Sequence, residues 1–218
     1  MAVAPHPSLA HLQKPPVCRV FAFIDGMNLF NWSKRCFEYQ HPNCDHAKLV
    51  NAIVNIELGR QLERATLYQG VPKAEHDATK NAWWNRKLAV VGRSGIKVER
   101  RYMKQRELNI KLDGIVHFEH TVQRLIEKGI DLKLGLDLVR YANSRSYDVA
   151  IVFSQDGDLV EAVEEVHRIA AEQNRWVQVE CAHPFTPVGN CYHINRTLQR
   201  QITRVMYDGC IDPTDYRR

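Results

Sequence analysis

Two uninterrupted apolar runs constrain this chain most: Val20-Phe-Ala-Phe-Ile24 and Val149-Ala-Ile-Val-Phe153. Runs of this length without a polar residue read as strands covered on both faces, as in the centre of a parallel sheet. Each run breaks directly into acid. The first is followed by Asp25-Gly26-Met27-Asn28, the second by Ser154-Gln155-Asp156-Gly157-Asp158. Aspartate is disfavoured in strands and costly when buried unpaired, so its place at two strand ends points to a site.

The remaining pattern alternates strands and helices. Helices are expected over Asp45–Arg60 with Asp45 as N-cap, and over His76–Val91, Val122–Gly129, Leu132–Asn143 and Leu159–Glu172. Further strands are expected over Ala65–Val71, Ile96–Met103 and Trp176–Cys181, while Glu107–Phe118 reads as a hairpin or an irregular excursion. Repeated strand–helix units of this size favour a doubly wound α/β layer fold. In such sheets ligands bind beyond the carboxyl ends of the strands, where the strand order reverses. Val177–Cys181 is a candidate edge strand for pairing, so a homo-oligomer is open.

A chain of 218 residues builds one substantial core. Its expected organisation is a loose, proline-bearing leader over 1–17, one domain over 18–206 and a tail over 207–218. No apolar stretch approaches the ~20 residues of a membrane helix, and the first residues lack the pattern of a secretion signal, so the expected compartment is the cytoplasm. The formal net charge of +5 suits a polyanionic partner without requiring one.

Three carboxylate groups fall where strand ends would gather them: Asp25, then Asp131 with Asp137 in Glu127-Lys-Gly-Ile-Asp-Leu-Lys-Leu-Gly-Leu-Asp137, then Asp156 with Asp158. Like charges held together repel unless a cation or a shared proton offsets them, which points to a hard divalent metal and phosphodiester chemistry. Asp137 lies about 240° around an ideal helix from Asp131 and is the least secure member. Singly, each has a plain alternative: Asp131 and Asp158 as helix-start residues, Asp25-Gly26 as a turn. Three Cys-x-His triplets, at Cys44, Cys181 and Cys191, make a structural zinc conceivable, but the usual close ligand spacings are absent.

Basic residues supply candidate substrate contacts. Lys128 and Lys133 flank Asp131, and Lys97–Arg106 carries Arg100, Arg101, Lys104 and Arg106 around Tyr102. Such a segment fits a single-stranded polyanion, the ring stacking on an unpaired base and the cations facing phosphates. Strand alternation, however, would send half of these side chains to the opposite face. Trp83-Trp84 reads as core, or as one core and one surface ring, rather than as a base platform.

Phe23-Ile-Asp-Gly-Met-Asn-Leu29, Glu127-Lys-Gly-Ile-Asp131 with Asp137, and Ser154-Gln-Asp-Gly-Asp-Leu159 resemble the three signature blocks of the NYN domain. This is a branch of the PIN-like metal-dependent nucleases that includes the LabA-like group. The tail Tyr207–Tyr216 is similar to that of some bacterial members, and the likeness runs from about Arg19 to the C-terminus. It implies a three-layer αβα sandwich with a mainly parallel Rossmann-like sheet, and hydrolysis of RNA with Mg²⁺ or Mn²⁺. It further implies that Asp25, Asp131 and Asp156 are the principal metal carboxylates and that Asp158 completes the cluster. Asn28 would orient a carboxylate, water or phosphate, and Ser154 would brace the loop on the substrate side. Gln155 and Leu159 depart from the family, which commonly has a smaller residue and an aromatic there. Besides a ribonuclease, two readings stay open: a catalytically weak RNA-binding regulatory module, and a metabolic enzyme using the acidic pocket on a small molecule.

Overall fold

The computed structural model describes residues 12–112, 118–186 and 192–217. Six strands form one parallel sheet: β1 (Cys18–Asp25), β2 (Arg60–Val71), β3 (Lys97–Tyr102), β6 (Val149–Phe153), β7 (Gln178–Pro184) and β8 (Leu198–Ile202), in the order β3-β2-β1-β6-β7-β8. Helices α1 (Gly26–Cys36), α3 (Ala78–Arg93), α4 (Ile130–Asn143) and α5 (Val160–Glu172) follow strands, α2 (His46–Val54) follows α1, and a short α6 (Arg204–Asp208) follows β8. Strands β4 (Lys104–Leu112) and β5 (Phe118–Ile126) pair with each other as a separate antiparallel ribbon.

Alternation along the two apolar runs divides the core in two. Val20, Ala22 and Ile24 of β1, with Val149, Ile151 and Phe153 of β6, pack with residues of α1, α2 and α3. Phe21, Phe23, Ala150 and Val152 face the other way, onto α4 and α5. Both faces of the sheet are thus covered by helices, which is why these strands need no polar side. The result is the expected three-layer αβα sandwich.

Local chemistry sets the helix starts. Asp45 accepts from Lys48 N at 3.1 Å and Asp77 from Lys80 N at 2.9 Å, each satisfying an orphan donor of the first turn. Three expectations are corrected. The helix expected to reach Arg60 ends at Val54, and Arg60 already opens β2. The helix expected over Val122–Gly129 is absent: Phe118–Ile126 is strand, paired from Lys104↔Ile126 to Leu112↔Phe118. Its β-branched Thr121, Val122 and Ile126 follow strand preference, and the partner strand overrides the helical spacing. Val177–Cys181 is no edge, because β8 pairs along β7 and leaves β3 and β8 as the borders of the sheet.

Of the expected leader only 12–17 lie within the described residues. The tail packs on the core through buried Tyr207, Cys210 and Tyr216, and Cys44 bridges antiparallel to Ile211. Lys87 is nearly fully buried there. It donates to the Cys44 carbonyl at 3.1 Å and lies 5.4 Å from the centre of the Tyr216 ring, so cation–π contact replaces part of its hydration. Among the described residues no helix is long and apolar enough to cross a membrane.

Toward the amino ends of the strands a buried ion network joins distant segments. Arg60 forks onto Glu180 (3.0 and 2.5 Å), Arg200 donates to the same carboxylate (2.8 and 2.6 Å), and Glu57 lies 2.9 Å from Arg60. Glu180 is completely buried, yet the hydrogen bonds from Arg200 and Arg60 outweigh desolvation and hold its carboxyl below the usual range. Glu180→Ala would leave Arg60 and Arg200 sharing the half-exposed Glu57 as their remaining carboxylate, and should lower stability by about 3–5 kcal/mol. A urea midpoint corresponding to a loss under about 1 kcal/mol would show the network to be no stronger than a surface pair.

Candidate metal centre

The strand order reverses between β1 and β6, and the carboxylates gather there. Parallel pairing in the register Val20↔Val149 to Ile24↔Phe153 brings both strands to their ends at one level. Asp25 closes β1, caps α1 and is almost fully buried. Its Oδ1 accepts from Asn28 N at 2.9 Å and its Oδ2 from Ser154 Oγ at 3.1 Å. Ser154 Oγ accepts in turn from Asp156 N at 3.1 Å, and Asp156 Oδ1 accepts from Asp158 N at 3.0 Å. Asn28 Oδ1 accepts from Gln155 N at 2.9 Å. Asn28 and Ser154 therefore lock the β1 and β6 loops together. Ser154 is buried beneath the loop and acts as a brace.

A carboxylate outside the expected set joins the group. Glu127, just after β5, packs against Gly70 at the end of β2, where a Cβ would stand 2.4 Å from Glu127 Oε1. Only glycine admits this approach. Burial pushes Glu127 up to about 7, with the charge of Asp25 next in effect, although the Gly70 N–H opposes the shift. Asp25 is likewise pushed up to about 7, chiefly by burial and also by Asp131 and Asp156, against the hydrogen bonds from Asn28 and Ser154. Asp131, more exposed in the first turn of α4, is raised by desolvation and then by Asp156 and Asp158. The signal for Glu127 is its place four residues before Asp131. What conceals it is the helical spacing of Val122–Gly129, which gives it no strand end to occupy.

Not every expected residue gathers here. Asp137 is buried under α4, where its Oδ2 accepts from Tyr68 Oη at 2.9 Å and its Oδ1 pairs with Lys133 Nζ at 2.5 Å. Both its oxygens and the Lys133 charge are thereby engaged away from the acidic group. Lys128 is exposed. The basic segment divides as alternation requires: Arg100 binds Asn85 of α3 at 2.8 Å and lies 5.1 Å from the Tyr102 ring centre, while Arg101 extends to Gly129 at the start of α4. Lys104 and Arg106 lie exposed on the ribbon.

The donor set is all oxygen, mutually repelling and without a cation among its members. Glu127 Oε1 is buried with no hydrogen-bond partner. By chemistry these residues fit a hard divalent ion such as Mg²⁺ or Mn²⁺. As placed, no group of three or more His, Cys, Asp or Glu side chains among the described residues is arranged to hold one metal ion. That covers the zinc reading as well: Cys181 Sγ donates to the Ser154 carbonyl at 3.2 Å and His183 Nδ1 lies 3.0 Å from the Pro184 carbonyl. Cys191 lies outside the described residues.

An all-parallel αβα sandwich with acids at its switch point defines a class of proteins in which charged ligands meet strand ends. Within that class the chain belongs to the NYN domain family, whose profile matches residues 19–184, well over half its length. A crystal structure of a protein of unknown function from Vibrio parahaemolyticus is similar at 16% identity and a TM-score of 0.49, covering 94% of this chain and 98% of that one. No curated protein matches the chain.

The raised carboxyls carry a stability signature. In the unfolded chain Asp25 titrates near 3.8 and Glu127 near 4.5, against about 7 for both in the fold. The folded state thus keeps protons that the unfolded state has already released, so these groups cost nothing below about pH 4, cost progressively more up to pH 7, and their full amount above it. Asp25→Asn should therefore raise the melting temperature by about 3–8 °C at pH 8 in EDTA, with the gain vanishing near pH 4. An equal gain at both pH values would show that charge repulsion is not the cause.

Proposed function

We propose that this protein is a metal-dependent ribonuclease hydrolysing phosphodiester bonds in single-stranded RNA. The observation that carries the reading is the group of Asp25, Glu127, Asp131 and Asp156 at the switch point, its charges mutually repelling and uncompensated by any lysine or arginine among them. Membership of the NYN family supports it. Asp25, Asp131 and Asp156 would hold Mg²⁺ or Mn²⁺, with Glu127 and Asp158 beside them. When bound, such an ion supplies a Lewis acid for the scissile phosphate and lowers the pKa of its water.

The chain's own residues divide the remaining work. Ser154 and Asn28 fix the relative positions of the β1 and β6 loops, so that Asp25 and Asp156 stay opposed despite their repulsion. Arg101, exposed beside Gly129, and Lys128 offer cations at the rim, where they would meet the phosphates flanking the cut. Lys104 and Arg106 extend this charge along the ribbon. Lys133 pairs with Asp137 within α4, which leaves Asp137 to bind Tyr68 of β2.

A second reading rests on a specific observation. Among the described residues no three acidic side chains close around one point as placed, an arrangement compatible with a module that binds RNA and turns little over. The two readings separate in a cleavage assay. A labelled single-stranded RNA pool should be cut with Mn²⁺ or Mg²⁺ and spared with EDTA, and Asp25→Asn/Asp156→Asn should lose at least about 10³-fold of the rate. RNA binding without metal-dependent cleavage by the wild type would establish the regulatory module. Arg101→Ala should weaken binding and lower the slope of log affinity against log salt by about one. An unchanged slope would assign Arg101 to solvated surface.

A further inference from the structure

One side chain of the β6 loop reaches away from the carboxylates. Gln155 stands between Ser154 and Asp156, and its Nε2 donates to the Tyr192 carbonyl at 2.7 Å. The two residues after Tyr192 are held as well. His193 Nε2 lies 2.8 Å from Gln199 Nε2, and its ring centre is 5.8 Å from that of buried His183 at a 33° tilt. Ile194 N donates to Cys181 Sγ at 3.5 Å, and Cys181 Sγ donates to the Ser154 carbonyl. Tyr192–Ile194 is thus pinned at both ends to the loop that carries Asp156.

On this backbone Tyr192 is 68% exposed. Among the described residues no aromatic ring or cation covers it. Tyr102, the other exposed tyrosine near the acidic edge, already has the Arg100 guanidinium over its ring. An exposed aromatic residue whose backbone is tied to the loop carrying Asp156 has the chemistry of a base-stacking surface, since every nucleobase offers a π face.

We propose that Tyr192 is a nucleobase-stacking platform for single-stranded RNA, and that Gln155 is the positioning residue that holds it beside the carboxylates. The inference rests on the ribonuclease reading and names the subsite that would seat an unpaired base next to the scissile phosphate. It also accounts for the length of Gln155, because a smaller residue at this position has no amide to reach the Tyr192 carbonyl. Stacking involves no ion release, so its loss should leave salt dependence unchanged, unlike the loss of a phosphate contact.

The test is fluorescence anisotropy with a 5′-labelled 12-nucleotide oligouridylate and the full chain carrying Asp25→Asn, which separates binding from cleavage. Tyr192→Ala should weaken binding about 10-fold with an unchanged salt slope, and Tyr192→Phe should bind like the parent. Gln155→Ala should weaken binding in the same direction but less. In chains retaining Asp25, Tyr192→Ala should raise KM and leave kcat nearly unchanged. Parent-like binding by Tyr192→Ala, or a loss that phenylalanine does not restore, would overturn the platform while leaving the ribonuclease reading intact. Absence of RNA binding by the parent would overturn both.

Discussion

Everything at the site depends on one constraint, the parallel register of β1 on β6. Because Ile24 pairs with Phe153, β6 ends level with Ile24 and β1 one residue later at Asp25, so both chains turn away from the sheet side by side. Backbone amides freed by that turn are satisfied locally, by Asp25 for α1 and Asp156 for the turn after β6. The carboxylates that cap the backbone are therefore the same ones that face each other across the switch point. Their structural and proposed chemical duties are inseparable, and a substitution to alanine would test both at once.

The two ends of the sheet treat charge in opposite ways. Toward the amino ends, Asp148 receives Arg19 in a fork and Glu180 is enclosed by Arg60 and Arg200, so each buried carboxylate has its cations and is held below its usual pKa. At the carboxyl ends, buried Asp25 and half-buried Glu127 have hydrogen-bond donors but no cation among the described residues, and both are raised. The same chain that compensates buried acid so fully at one end leaves it uncompensated at the other. This asymmetry, rather than acidity alone, separates a candidate metal centre from an ordinary buried ion pair.

Much of this was legible in advance. The two apolar runs identified the central strands, and the aspartates after them marked the switch point, because strand chemistry and ligand position follow from local pattern. Asp45 announced the start of its helix correctly. Three things were hidden, each for a physical reason. The Phe118–Ile126 strand exists by virtue of its partner β4, a pairing that no local spacing encodes. Glu127 belongs to the acidic group only because Gly70, far away in sequence, leaves it room. Strand β8, with its polar Gln199, Arg200 and Gln201, has none of the apolar continuity of a central strand, since it borders the sheet.

The partnership of Arg60 with Glu180 also has a temporal side. The two residues are 120 positions apart, and Arg200 lies further still toward the C-terminus. During synthesis Arg60 leaves the ribosome with Glu57 as its near partner, long before Glu180 and Arg200 exist. The ion network around Arg60 therefore reaches its final form only after β7 and β8 have emerged. Completion of the sheet waits for the last strands, which makes folding of this chain an event of the whole polypeptide.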